Sequence, residues 1–246
     1  MNILICIDDT DNLDSLGTGH LAAEFAQLIE TRAWGKTSFI TRHQLFVHSD
    51  IAFTSHNSAM CFAASIDSNC REALIDEAGR FLAQRSAPGS SPGLCVAVTT
   101  ALAEASALIG FGQAAKGLVL TKNDAYVLAQ RQGIHLSEHG GTGQGVIGAL
   151  AGAGLRLSGN DGRIRGGRAL LPGTAPLSVK ALLALPEVNA VQTRAGETLP
   201  DDVVIELGDR LKTVLLNGRA TLLVTLDLLD GKMRWRCCNK PELRCH

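Results

Sequence analysis

Ile3-Leu4-Ile5-Cys6-Ile7-Asp8-Asp9-Thr10-Asp11 opens the chain as an apolar run of strand length that empties into carboxylates, and Gly17-Thr18-Gly19 follows a short loop later. A continuous apolar run bounded by polar residues predicts a strand buried on both faces. Leu21, Phe25, Leu28 and Ile29 recur at helical spacing after it, so the chain begins with a strand, a loop and a helix, the opening of an α/β layer. Asp8, Asp9 and Asp11 are close enough to share one hard cation, since ionised neighbours repel unless a cation or donors compensate them. The dull alternative is a turn in which Asp8 or Asp11 caps and Asp9 faces water. Thr18, between two glycines at a helix start, reads as an N-cap; the same helix end also presents N–H groups to a phosphate, which would put the hydroxyl near an electrophilic phosphorus.

The pattern continues in layers. Short strands are expected at 37–40 and 45–47, and a longer one over Ala59 to Ile66. Arg71 to Gln84 reads as an amphipathic helix, Ser86-Ala-Pro-Gly-Ser-Ser-Pro-Gly93 as a loop, and Leu94 to Val98 as a buried strand. Thr100 to Ile109 and Lys122 to Gln132 look helical, with a strand-like Gly117 to Leu120 between them and Gly110-Phe111-Gly112 as a break. His139-Gly-Gly-Thr-Gly-Gln-Gly145 then leads into Val146 to Ala153, dense enough in small and apolar residues for a helix packed tightly on a sheet. This second glycine cluster is neither a Walker loop nor a dinucleotide fingerprint. From Asn160 the pattern turns to short strands, with hairpin signals at Asp161-Gly162, Asn217-Gly218 and Asp230-Gly231. The reading is an α/β (α+β) chain: a domain over 1–157, with a strand-helix-strand unit at about 59–98, and a β-rich subdomain with a basic tail over 158–246.

Composition bounds the function. With 246 residues, 46% of them apolar, the chain can bury a substantial core. Its 23 lysines and arginines against 24 acidic residues leave a net charge of −1, so any attraction to nucleic acid must be local. Met1-Asn2 runs straight into the first strand without a secretory n-region, and the charge-poor stretch from Gly93 to Leu120 is interrupted by Glu104, so neither leader nor membrane span is expected. Seven cysteines, an odd number, with Cys6, Cys61 and Cys95 in apolar surroundings, point to the reducing cytoplasm rather than a disulfide scaffold. Cys237, Cys238, Cys245 and His246 lie beside Lys232, Arg234, Arg236, Lys240 and Arg244, but their spacing suits zinc poorly and a basic tail better.

Four motifs in order resemble the tRNA agmatinylcytidine synthetase family. Ile7-Asp8-Asp9-Thr10-Asp11 with Thr18 and Leu21 at fixed distance is the first. Thr54-Ser-His-Asn57-Ser58-Ala59 is similar to the family's Thr-Arg-Gly-Asn-Gly-Ala, and Pro92-Gly93 before a strand to its Asn-Pro-Gly. Gly143-Gln-Gly145-Val-Ile147-Gly148-Ala-Leu150-Ala is similar to its Gly-Arg-Gly-Leu-Ile-Gly-Ala-Leu-Ala. The resemblance covers about residues 1–157 and implies an ATP-hydrolysing, kinase-like domain with an interleaved ferredoxin-like unit. It implies that Asp8, Asp9 and Asp11 hold magnesium, that Thr10, Gly17, Gly19, Asn57, Gly141, Gly143, Gln144 and Gly145 surround ATP, and that Thr18 accepts a phosphoryl group. Asp8, Asp9, Asp11 and Thr18 would then be the catalytic residues.

The chain departs from the family pattern in its cations. His56 and Gln144 stand where the family has arginines, and Gly17-Thr18-Gly19-His20 where it has Cys-Thr-Thr-Tyr. The OB-fold and cysteine-pair zinc ribbon of the full-length synthetases are not expected in this length. The acceptor suggested is therefore a small amine or nucleoside-like molecule, with tRNA a second candidate through the basic tail and Arg234 and Arg236. A non-catalytic nucleotide-binding regulatory module is the rival reading.

Overall fold

The computed structural model describes residues 1–54, 56–171, 173–229 and 231–243. The chain divides into two compact units, Met1–Ser158 and Gly159–His246.

In the first unit the opening run forms strand β1 (Asn2–Asp8), and its period of two sorts the side chains. Ile3, Ile5 and Ile7 join Leu21, Phe25 and Ile29 of helix α1 (Thr18–Thr31) on one face of the sheet. Leu4 and Cys6 face the opposite core, and Asp8 continues on that side. Strands β2 (Gly35–Thr37) and β3 (Thr41–Gln44) form an interrupted edge beside β4 (Ser58–Ile66). A 3-10 turn (Ser68–Cys70), helix α2 (Arg71–Arg85) and strand β5 (Gly93–Val98) follow. Both β4 and β5 run antiparallel to β1, which lies between them, with Cys6 opposite Cys61 on one side and Cys95 on the other. The strand order β5-β1-β4-β3 and the helices α1 and α2 on one face make the β-α-β-β-α-β arrangement of a ferredoxin-like fold. The stretch 59–98 supplies the second half of that arrangement; β1, α1 and the interrupted edge supply the first.

The other face is covered by α3 (Ala105–Ala114), α4 (Lys122–Gln132) and α5 (Gly145–Ser158), and β6 (His135–Glu138) extends the sheet beyond β5. Several expectations shift here. The expected strand at 37–40 is the kink between β2 and β3, where Ser38 bonds Ala63 through both its N–H and its Oγ. Residues 45–47 are not a strand, because Phe46 N–H leaves the sheet edge for the Ala115 carbonyl. Gly112 lies inside α3: a Cβ there would fall 2.7 Å from the Ala151 carbonyl oxygen, so this glycine serves a close helix-helix contact instead of ending the helix. Residues 117–120 close α3 as a turn, with Leu118 and Val119 exposed and no strand partner among the described residues.

The second unit is β-rich. It contains β7 (Arg163–Ile164), β8 (Leu177–Ser178), α6 (Val179–Leu183), β9 (Ala190–Thr193), β10 (Val204–Glu206), β11 (Thr213–Leu216), β12 (Arg219–Leu229) and β13 (Lys232–Cys237). The strand order is β7-β11-β12-β13-β10-β8, with β9 parallel to β12. Asn217-Gly218 makes the β11-β12 hairpin with φ of 49° and 70°, the paired positive angles of a type I′ turn. Asp161-Gly162 precedes β7 and joins no two neighbouring strands, and Asp230 of the third expected hairpin lies outside the described residues. Cys237 and Cys238 are buried, while Arg244, Cys245 and His246 lie outside the described residues. No described helix is long and apolar enough to cross a membrane.

Candidate active site

Antiparallel pairing of β1 with both its neighbours brings the sequence motifs together. The C-terminal end of β1 lies against the N-terminal ends of β4 and β5: Ile7 is opposite Met60, and Asp8 is opposite Gly93. Gly93 in turn pairs with Glu138, the last residue of β6, so the glycine loop that follows starts at the same edge. Asp8 to Asp11, Asn57, Pro92-Gly93 and Gly141 to Gly145 thus meet at one end of the sheet although they span most of the first unit in sequence.

Helix α5 starts directly over Asp8. A Cβ on Gly145 would lie 2.8 Å from the Asp8 carbonyl oxygen, and one on Gly148 would lie 1.7 Å from Asp8 Oδ2. Only glycine at these positions lets the helix N-terminus, with its positive dipole end, approach the carboxylate. Asp8 is buried, and burial pushes its carboxyl up to about 8, with the charges of Asp9 and Asp11 adding to the rise and the Asp9 N–H opposing it. Asp9 adopts φ of 52°, a left-handed conformation uncommon for residues other than glycine, and its carboxylate accepts the Ser91 N–H. Burial, and then the charge of Asp11, raise the Asp9 carboxyl also. Thr10 sits between them with its side chain 1% exposed, and its Oγ1 has no hydrogen-bond partner. Its carbonyl takes the Ala87 N–H at 2.9 Å, so the backbone is tied down and the hydroxyl is not.

Thr18 is the first residue of α1 and is buried; Gly17, with φ of 87°, is the N-cap, so Thr18 does not cap the helix. Asp11 Oδ2 is 3.6 Å from where a Gly17 Cβ would be, which places this helix start beside the carboxylates. Gly19 is the second residue of the helix. Thr54 Oγ1 donates to the Asp11 carbonyl at 3.2 Å, linking the second motif to the first. Asn57 turns its amide to the Phe46 carbonyl at 2.6 Å and holds the chain that leaves β3, and His56 and Gln144 are exposed.

Gly141 and Gly143 both have positive φ, 55° and 71°, and a Cβ on Gly141 would strike the Ser90 carbonyl oxygen at 2.4 Å. Ser91 joins the two halves of the site: its N–H reaches Asp9, its carbonyl accepts the Gly145 N–H at 3.0 Å, and its Oγ accepts the Thr142 N–H at 3.1 Å. Sequence motifs do not point to Ser91, Lys122, Tyr126 or Glu138. A lone serine in a Pro/Gly loop and a lysine at a helix start carry no pattern of their own, and only the fold brings them to the glycine loop.

The donor set favours a cation that arrives with its own oxygen ligands. Among the described residues no three His, Cys, Asp or Glu side chains are arranged as a metal cage. Magnesium characteristically takes one or two carboxylates and completes its shell with water and phosphate oxygens, which is what buried Asp8 and half-buried Asp9 offer.

No protein-family model matches the chain, and no curated protein matches its sequence. Solved structures do. Apo TiaS, a tRNA agmatidine synthetase specific for an isoleucine tRNA, aligns at 25% identity and a TM-score of 0.54 over 63% of this chain and 35% of its own. The TiaS complex with that tRNA and ATP aligns at 22% identity and 0.55 over 82% of this chain and 50% of its own. The complex with the tRNA, AMPCPP and agmatine aligns at 21% and 0.55 over 88% of this chain and 52% of its own. The chain spans between a third and about a half of the length of these structures. By its strand order, its glycine-mediated packing and these alignments, it shares its fold with the tRNA agmatidine synthetases, the family its motifs resemble.

Proposed function

We propose that this chain binds ATP with magnesium at the C-terminal end of β1 and transfers or hydrolyses the terminal phosphoryl group, in an ATP-dependent RNA cytidine modification of the agmatidine synthetase kind. The observation that carries the reading is the meeting of buried Asp8 and half-buried Asp9 with a glycine loop and two helix N-termini at one sheet end. Such a place supplies the two needs of phosphoryl transfer, positioning and charge neutralisation. Asp8, Asp9 and Asp11 would hold the metal, and Thr10, with its uncommitted hydroxyl, would contribute a further oxygen. Magnesium bound there would draw charge off the phosphate oxygens. Gly17, Gly19, Gly141, Gly143, Gln144 and Gly145 would line the nucleotide, with Asn57 holding the neighbouring chain.

Thr18 is the proposed acceptor. Its Oγ would form the new bond to the γ-phosphorus as the bond to the bridging oxygen breaks, ADP leaving with the electron pair and the hydroxyl proton passing to the Asp11 carboxylate beside Gly17. The six described free thiols suit the cytoplasm. For an RNA acceptor the relevant cations differ from those expected. Arg234 pairs with Glu206 at 2.6 Å, and Arg236 with Asp227 at 2.7 Å and Glu242 at 2.8 Å, so these charges are already met. Arg163, Arg210, Lys212 and Lys240 group together instead, and their mutual repulsion depresses the Lys212 ammonium further after burial.

Incubation with γ-labelled ATP and magnesium tests the reading. Label on the protein that is lost in Thr18→Ala, or phosphate release that is lost in Asp8→Asn, is the expected result. ATP binding without turnover, whatever the acceptor, would instead favour the regulatory module.

A further inference from the structure

We propose that Lys122, the first residue of α4, is the cation that meets the nucleotide phosphates at the glycine loop. The inference rests on the nucleotide reading above and names a residue that none of the motifs contains. The loop Gly140-Gly141-Thr142-Gly143-Gln144-Gly145 carries no lysine or arginine, and Asp8, Asp9 and Asp11 face it across Ser91. A triphosphate in that setting needs positive charge beyond the loop's own N–H groups.

Lys122 reaches the loop from another element. Its Nζ donates to the Thr142 carbonyl at 2.8 Å and to Glu138 Oε1 at 2.9 Å, and an ammonium has three protons, so one remains for a ligand. Tyr126 Oη donates to the same Glu138 oxygen at 2.7 Å. Glu138 packs against the loop backbone so closely that a Cβ on Gly143 would fall 1.7 Å from its Oε2. The ammonium is therefore held at the loop's edge by a carboxylate that is itself fixed by a tyrosine, while a third of the lysine side chain stays open to solvent.

Helix stability does not explain the residue. Thr121 caps α4 in a capping box with Asp124, which satisfies the helix start without Lys122. A cation in the first turn opposes the helix dipole, so position 122 would favour an acidic side chain if the helix alone decided. The hydrogen bond to Thr142 runs on through the Thr142 N–H to Ser91 Oγ, and the Ser91 N–H ends on Asp9, so Lys122 is connected to the carboxylate end of the site. It supplies the charge that the chain lacks at Gln144 and His56.

Calorimetric binding of ATP and of adenosine to the full chain with magnesium tests the proposal, using Lys122→Met, Lys122→Arg and Glu138→Gln. A charge-assisted contact to phosphate predicts that Lys122→Met weakens ATP by about 10-fold and adenosine by less than about twofold, while Lys122→Arg keeps most of the ATP affinity. Glu138→Gln removes the competing carboxylate and leaves ATP binding equal or tighter. If Lys122 merely braces the loop through Glu138, both Lys122→Met and Glu138→Gln weaken ATP and adenosine together, and the proposal falls. Unchanged ATP affinity in Lys122→Met also overturns it. Failure of the unaltered protein to bind ATP would refute the nucleotide reading itself, an outcome distinct from either. Thermal melts within about 2 °C of the unaltered protein, expected for a surface lysine, show that the variants are folded.

Discussion

A single carboxyl group sets the pH response of the site. Asp8 titrates near 8 in the folded chain because burial, then Asp9 and Asp11, disfavour its charge, whereas an unfolded chain titrates it near 4. A raised folded value stabilises the protein fully below the unfolded value and loses that contribution as pH rises toward 8, with a slope of at most about 1.4 kcal/mol per pH unit. The melting temperature of the protein without added metal or nucleotide is therefore expected to fall from pH 5 to pH 8. Asp8→Asn should flatten that dependence and melt a few degrees higher at pH 8 while losing turnover; a variant as pH-sensitive as the parent would contradict this account. Thr10 gives a matching case. Its buried, unpartnered hydroxyl costs stability, so Thr10→Val should melt no lower than the parent yet bind magnesium-ATP more weakly, as thermal melts with and without ligand would reveal.

Helix α5 is the element that builds the site, through small residues on the side that crosses β1. Gly148 meets Asp8, and Gly152 meets Cys6 Sγ at 2.5 Å and the Ala59 Cβ at 2.8 Å of where its own Cβ would be. Gly148→Ala should cost about 1–3 kcal/mol by overpacking, measured by denaturant unfolding. The cost should shrink by more than about 1 kcal/mol in the Asp8→Ala background, because the clash is with that carboxylate; strictly additive effects would show that the helix yields elsewhere. The same small residues explain why sequence reading locates α5 and its tight packing but misplaces the end of α3. Glycine recurring along a helical stretch signals close approach, but which neighbour approaches is not written in the stretch itself. Gly110-Phe111-Gly112 reads as a break, yet it lies in a helix, with Gly112 against the backbone of α5.

At the scale of the chain, each unit carries its own charge distribution, and RNA binding separates the readings of the second. Substituting Arg210 and Lys212 with serine should lower the slope of log affinity against log salt by about one per cation, while Arg234→Ser should leave it nearly unchanged because Glu206 already answers that arginine. A slope insensitive to Arg210 and Lys212 would remove RNA contact from that face. The first strand, the amphipathic helices and the hairpin at Asn217-Gly218 were legible because each is dictated by local periodicity or backbone angles. So were the four motifs, whose residue types state their chemistry. Sequence alone determined the kinds of group present and the elements that bear them. Tertiary structure decided which groups meet: antiparallel pairing of β1 with β4 and β5 gathers distant loops at one sheet end, burial turns Asp8 from an ordinary acid into one titrating near 8, and the packing of α4 beside β6 carries Lys122 to a glycine loop that has no cation of its own. Those outcomes depend on contacts between residues far apart in the chain, and local sequence preferences do not encode them.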